Sequence, residues 1–211
     1  VGAECRIVSI GRMLPACSID NLLYAPARRK YFMRADNVAT APINWTGAVF
    51  EQLKAWQVVQ VAYVPDAGHS ELINCCDGDS EMRLVPLTTE EEGIAVLAGA
   101  WLGGQRGVLL MQSSGVGNCI NMMSLARICR FPLLVLVTMR GQWGEFNPWQ
   151  VPMGQLTPKV LADANNLVFS IDDPDQASQA VAGAARMAFE GPAQAAVLIG
   201  QEVIGAKSFG K

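Results

Sequence analysis

From Trp45 onward, short β-branched apolar runs alternate with segments of helical period, and this alternation limits the fold more than any other feature of the chain. The runs Val58–Val64, Arg83–Leu87, Val108–Met111, Pro132–Thr138, Leu167–Ile171 and Ala195–Ile199 read as strands. Trp45–Trp56 reads as an amphipathic helix with Val49, Leu53 and Trp56 on one stripe, and Ser70–Cys75 as a short helix. A long helical pattern follows Thr88-Thr89 and ends at Leu102 before Gly103-Gly104. Ser113–Gly117 reads as a tight loop, with a helix after it to about Cys129. Residues 140–157, rich in Gly, Pro, Gln and Trp, carry no period and are expected to form a long irregular loop, with helix only over 158–164. Asp172-Asp173-Pro174 announces a last long helix, Asp175–Phe189.

Strands that are apolar on both faces and alternate with helices predict an α/β fold: a mostly parallel sheet with helices on both faces. Ligands in such folds sit at the carboxyl ends of the strands. The loops 65–70, 112–118 and 139–157 fall there, and the second strand delivers Glu90-Glu91-Glu92 to the same edge.

Composition narrows the partners. The 16 Lys and Arg against 19 Asp and Glu give a net charge of −3, so no general excess of positive charge exists to neutralise nucleic-acid phosphates. Residues 1–40 differ from the rest, with Arg6, Arg12, Arg28, Arg29, Lys30 and Arg34 against Glu4, Asp20 and Asp36, and with Pro15 and Pro26 interrupting any period. Arg6 and Arg12 break the only apolar run that resembles a secretory signal. This stretch is expected to be a basic, irregular tail, disordered or not native, with Met33 as an alternative start; 206–211 is expected to be a second tail. The folded domain is expected over 41–205. Residues 107–126 lack charge but contain Gln112, Ser113, Ser114, Asn118 and Asn121, so no membrane span is expected. Six cysteines with no C-x-x-C and a single His argue against a zinc set. Reduced thiols in the cytoplasm are the expectation for a chain with this much core.

Several residues have chemistry open to them. Any of Glu90, Glu91 and Glu92 can serve as helix cap or dipole partner, or as a proton-handling carboxylate at the end of an apolar helix. Gln112-Ser113-Ser114-Gly115-Val116-Gly117-Asn118 can cradle a polar ligand at a helix start, or supply small residues for close packing. It is neither a dinucleotide fingerprint, since position 120 is Ile, nor a P-loop. Asp66 and His69 are either a turn Asp with a surface His or a pair of proton-transfer groups. A Cys75 or Cys76 nucleophile with His69 lacks any visible orienting partner. Arg140, at a strand end, is a surface charge or a binder of a planar anion.

Taken in order, Val64-Pro65-Asp66, the stretch Thr88-Thr89-Glu90-Glu91-Glu92-Gly93 through Gly99-Ala100-Trp101-Leu102-Gly103-Gly104, Leu110-Met111-Gln112-Ser113-Ser114-Gly115-Val116-Gly117-Asn118, and Arg140-Gly141 to Gln150-Val151-Pro152-Met153-Gly154 form a specific set. This set resembles the pyrimidine-binding domain of thiamine-diphosphate-dependent decarboxylases, in the branch of the sulfopyruvate decarboxylase alpha subunit and phosphonopyruvate decarboxylase. The resemblance spans roughly residues 45–200 and leaves the first forty without a counterpart.

It implies that one Glu opening the helix after the second strand hydrogen-bonds a ring nitrogen of the aminopyrimidine and promotes proton loss at the cofactor's reactive carbon. Counting nine residues back from Gly99 selects Glu90, leaving its neighbours as cap and solvated face. The resemblance further implies that Gln112, Ser113, Ser114, Gly115 and Asn118 lie near the pyrimidine, Asp66 near the reacting carbon, and His69 and Arg140 toward the substrate and its anionic tail. Members of this family hold the diphosphate through Mg²⁺ with Gly-Asp-Gly and a downstream Asn. Here there is only Asp77-Gly78-Asp79-Ser80, so no metal ligand is expected in this chain. A separate diphosphate-binding beta subunit is implied, which would hold Mg²⁺ and make the protein a homo-dimer or hetero-oligomer. The implied reaction decarboxylates a small anionic 2-oxo acid to an aldehyde and CO₂. The alternative is a non-catalytic α/β binding or assembly module of the same fold.

Overall fold

In the computed structural model the described residues are 44–205. The expectations for the two tails lie outside these residues. Six strands form one all-parallel sheet in the order β2-β1-β3-β4-β6-β5. They are β1 (Val58–Tyr63), β2 (Arg83–Pro86), β3 (Arg106–Gln112), β4 (Leu133–Thr138), β5 (Leu167–Ile171) and β6 (Gln194–Ile199). Among the described residues no helix is long and apolar enough to cross a membrane.

Two apolar layers flank the sheet. Helices α1 (Trp45–Ala55), α2 (Ser70–Asp77) and α6 (Ala177–Phe189) cover one face through Val49, Leu53, Leu72, Val181 and Ala184. Helices α3 (Glu90–Leu102), α4 (Ser113–Cys129) and α5 (Val151–Asp163) cover the other through Ile94, Leu97, Val116, Met123 and Leu161. The period of two sends Val108 and Leu110 of β3 to the first layer and Leu109 and Met111 to the second. Every residue of β4 and β6 is buried, as the unbroken apolar runs require.

Two sequence expectations need correction. Ser113–Gly117 is not a loop: α4 begins at Ser113, directly on the end of β3. Its glycines answer to packing, since a β-carbon on Gly115 would collide with the Glu90 side chain and one on Gly117 would meet Met153. The irregular segment is also shorter than 140–157. A 3₁₀ turn, Pro148–Gln150, leads into α5 at Val151. Pro152 sits in the first turn, where its missing N–H costs nothing. Pro158, expected to open a helix over 158–164, lies inside α5 instead. Gly154 lets α5 press onto the backbone of Arg140, and Gly141 (φ +74°) meets the carbonyl of Gln150. A short last helix, α7 (Gln201–Ile204), follows β6 directly.

The chain leaves β1 for β2 on one side and later takes β3 on the other. The carboxyl ends of β1 and β3 therefore border a topological switch point, where open α/β sheets bind their ligands.

Candidate active site

The first turns of α3 and α4 stand side by side at this edge. Glu90 is the first residue of α3 and is half-buried. Its Oε2 accepts a hydrogen bond from Asn118 Nδ2 at 2.8 Å, and its carboxylate lies over Gly115 of α4. The three successive glutamates have separate duties. Glu92 Oε2 accepts from the backbone N–H of Thr88 at 2.9 Å and of Thr89 at 3.4 Å, closing the helix start. Glu91 is not a solvated face: it is half-buried, and its Oε2 is withdrawn from solvent without a partner. Glu90 remains as the carboxylate that is positioned by a neighbour yet partly open.

Beside it, Asp66 ties three strand ends together. Its Oδ1 accepts from Gln112 Nε2 at 2.8 Å. Its Oδ2 accepts from Thr138 Oγ1 at 2.6 Å and from Gly68 N at 3.1 Å. Ser114 Oγ donates to Gln112 Oε1 at 3.0 Å, which extends the network to the start of α4. Such a network aligns the ends of β1, β3 and β4, so Asp66 acts on the site's geometry as well as standing in it.

Three of the sequence-derived candidates have other work in this structure. Ser113 is fully buried, and its Oγ accepts from Arg140 N at 3.1 Å while its carbonyl accepts from Thr157 Oγ1 at 3.3 Å. It joins α4 to the segment after β4 and presents no surface to a cofactor. His69 is not a surface residue: it is wholly buried at the head of α2, its Nε2 3.1 Å from the carbonyl oxygen of Leu136. Burial pushes its pKa below the usual histidine value, against the pull of Asp66.

Arg140 is not a free cation awaiting a substrate tail. It is 8% exposed, and its Nε and Nη2 donate to Glu145 Oε2 and Oε1 at 2.7 and 2.6 Å. Glu145 also accepts from Gly141 N, Asn147 N and Gln201 Nε2. The Arg140 guanidinium, with these donors, holds the Glu145 carboxyl at about 2. Gln201 closes the arrangement by accepting from the backbone N–H groups of Gln142 and Trp143, each at 3.0 Å.

Sequence reasoning passed over Glu145, Gln201 and Gln150, whose Oε1 is buried without a partner at the head of α5. Available signals were an opposite charge five residues after Arg140 and a polar residue just past the last strand. The cysteine alternative loses ground: burial pushes the Cys76 thiol up to about 12.

The first turns of α3 and α4 bring together groups that suit the hydrogen-bonding edge of a flat heterocycle. They are the half-buried Glu90 carboxylate, the Asn118 amide and Gly115, whose missing β-carbon leaves room for the Glu90 side chain. Asp77–Ser80 lies between α2 and β2, at the opposite edge of the sheet, and Asp79 is paired with Lys54. Among the described residues no group of three or more His, Cys, Asp or Glu is arranged to hold a metal ion.

Residues 43–152 match the family described as thiamine pyrophosphate enzyme, N-terminal TPP binding domain. The sulfopyruvate decarboxylase subunit alpha of Methanococcus maripaludis is 35% identical over 158 residues, covering 74% of this chain and 95% of that one. The same subunit of Methanocaldococcus jannaschii is 33% identical, covering 62% of this chain and 78% of the relative. A phosphonopyruvate decarboxylase of Streptomyces viridochromogenes is 42% identical over 106 residues, 49% of this chain but only 27% of that longer protein. A solved 2-oxoglutarate:ferredoxin oxidoreductase from Magnetococcus marinus superposes with a TM-score of 0.63 at 18% identity, over 76% of this chain and 29% of its own. That last likeness speaks for the fold alone. The family match and the relatives, covered over most of their length, show that the chain belongs to the thiamine pyrophosphate enzymes, as an N-terminal TPP-binding domain of the decarboxylase branch that includes the sulfopyruvate decarboxylase alpha subunits.

Proposed function

We propose that this chain is the alpha subunit of a cytoplasmic, thiamine-diphosphate-dependent decarboxylase. Its substrate would be a 2-oxo acid with a sulfonate or phosphonate at C3, released as an aldehyde and CO₂. A separate beta subunit would hold the diphosphate and Mg²⁺, and the cofactor would bridge the two chains. The single observation that carries this reading is the Glu90 carboxylate, set between the first turns of α3 and α4 over Gly115 and oriented by Asn118.

Bound thiamine diphosphate would supply the nucleophilic carbon and the electron sink for losing CO₂. The chain's own residues do the rest. Glu90 exchanges a proton with a ring nitrogen of the aminopyrimidine at its carboxylate oxygen, with Asn118 fixing the direction of that carboxylate. Gln112 and Ser114 contribute polar edges beside it, held in register by Asp66. Arg140 and Ser113 position the segment after β4 rather than touch the substrate.

The need for a second chain has structural support. Asp77–Ser80 is remote from Glu90 and cannot complete a diphosphate site there. The segment held by Glu145 turns Trp143, Phe146 and Trp149 outward, with Trp149 83% exposed. Large apolar groups exposed together on one segment suit a protein interface. The free thiols of Cys75, Cys76, Cys119 and Cys129 suit a reducing cytoplasm.

The test is reconstitution with a partner chain carrying Gly-Asp-Gly and a downstream Asn, measuring CO₂ release from sulfopyruvate and phosphonopyruvate. Glu90→Gln should lower turnover by about 10²–10⁴-fold, the usual range for losing a proton-transfer group. Glu92→Gln, which keeps a capping oxygen, should leave it unchanged. Equal turnover in Glu90→Gln and wild type would remove Glu90 from the mechanism.

A further inference from the structure

We propose that Trp143, Phe146, Trp149 and Leu156 form the surface on which the diphosphate-holding partner chain docks, and that Glu145 and Gln201 hold this surface in its docking shape. The assignment rests on the proposed function and names where the second chain sits.

The patch carries no exposed charge. Glu145 is the only charged residue between Arg140 and Lys159, and its side chain is 4% exposed against Arg140. The large apolar groups stand out instead, with Trp143 49%, Phe146 45%, Trp149 83% and Leu156 51% exposed. Trp149, Pro152 and Leu156 follow one another at helical spacing across the 3₁₀ turn and the start of α5, which sets them along one face. The Lys159–Asp163 ion pair ends the uncharged stretch. The other helical layer differs: exposed positions of α1, α2 and α6 include Glu51, Lys54, Glu71, Asp77 and Arg186. Interface centres are depleted in charge and enriched in Trp and Phe.

Size and position point to the partner as the occupant. At roughly 150–250 Å² per aromatic side chain, the exposed parts of the three rings come to about 350 Å². That is near half of the roughly 800 Å² that each chain brings to a stable interface. The remainder adjoins it. Arg140 N donates to Ser113 Oγ at 3.1 Å, and a β-carbon on Gly117 would meet Met153 Sδ, so the segment and α5 border the first turns of α4 beside Glu90. A chain that supplies the diphosphate half of the site must cover that edge, and the same chain then covers the aromatic patch. A second copy of this chain brings no such half, since its own Asp79 is paired with Lys54.

The patch is tied down from beneath. Glu145 accepts from Gly141 N at 3.2 Å and from Asn147 N at 3.0 Å. Gln201 Oε1 accepts from Gln142 N and Trp143 N, and Gln201 N donates to Gln142 Oε1 at 3.1 Å. Asn147 Oδ1 accepts from Trp149 N at 3.1 Å, and the Arg140 guanidinium lies 5.7 Å from the Phe146 ring centre. A segment already tied by these bonds loses less freedom on docking.

The experiment is calorimetric titration of the full chain with the partner chain used in the reconstitution above, alongside sedimentation of the full chain alone. Trp143→Ala/Trp149→Ala should raise the Kd at least about 30-fold, the scale of hot-spot side chains. Its urea midpoint as an isolated chain should match wild type, because the rings are exposed. Gln201→Ala, which leaves every ring in place, should raise the Kd about 3–10-fold through the added cost of ordering the segment. Met187→Ala, on α6 of the other layer and 45% exposed, should bind like wild type. A double tryptophan variant that binds the partner as tightly as wild type overturns the docking surface and leaves the proposed function standing. Wild-type affinity in Gln201→Ala overturns the part given to Gln201. A wild-type chain that does not bind the partner overturns the proposed function and the docking surface together. A self-dimer that the double variant loses, with partner affinity intact, assigns the patch to a second copy and overturns the proposal.

Discussion

Two carboxylates at the same edge of the sheet, Glu90 and Glu145, are held in opposite ways. Glu145 is sealed: its side chain is 4% exposed, and Arg140, Gln201 and two backbone N–H groups consume its oxygens. Glu90 accepts a hydrogen bond from Asn118 and stays half-buried over a glycine. The first arrangement lowers proton affinity and fixes a loop. The second leaves a carboxylate oriented but available. Chemistry at this edge follows availability, and the sealed pair serves by holding its neighbours still.

That contrast can be broken from the Glu145 side first. Glu145→Gln leaves Arg140 buried without its counter-charge, and losing one partner of a buried pair costs about 3–5 kcal/mol. Urea unfolding of the chain should show a loss of that order, whereas Glu90→Gln should change stability by no more than about 0.5 kcal/mol. Comparable losses in both variants would erase the distinction drawn here.

Acid sharpens the same comparison with a smaller effect. The Glu145 carboxyl ordinarily titrates near 4.5 and is held at about 2 in the fold. The unfolded chain thus takes up the proton first as pH falls. The pair's stabilisation is complete above about pH 4.5 and drains away as pH drops toward 2, by at most about 3 kcal/mol. Glu145→Gln should flatten that part of the stability profile. An unchanged slope between pH 4.5 and 2 would place the acid-sensitive group elsewhere.

The smallest effect concerns His69, the only histidine in the chain and so an unambiguous probe. Burial lowers its pKa in the fold, so the unfolded chain protonates first below pH 6.5 and stability declines gently from there. In a proton NMR titration its ring signals should not move through a midpoint near 6.5 while the protein stays folded. A midpoint at the ordinary value would mean that the ring reaches solvent.

The architecture was legible because apolar runs on both faces leave a chain few choices other than a covered parallel sheet. The six strands fall within a residue or two of their sequence bounds. The family resemblance selects Glu90 through its offset from Gly99, and the structure puts that residue first in α3, after β2. What periodicity hid has a common cause. Gly115, Gly117, Pro152 and Gly154 read as loop formers, yet each stands in a helix, where contacts far along the chain decide its place. Arg140 read as a ligand binder for the same reason: nothing local says that a carboxylate five residues on will fold back onto it. His69 read as a surface residue because the turn before it is polar, while the Leu136 carbonyl that receives it lies 67 residues away.

The central claim is that Glu90 governs a proton on the cofactor. The most direct measurement is hydrogen–deuterium exchange at the carbon between nitrogen and sulfur in the thiazolium ring of thiamine diphosphate, bound to the enzyme reconstituted with its partner and without substrate. The account predicts exchange at least about 10²-fold slower in Glu90→Gln than in wild type, the lower bound for losing a positioned acid–base group, with cofactor still bound. Equal exchange rates in the two proteins would contradict it.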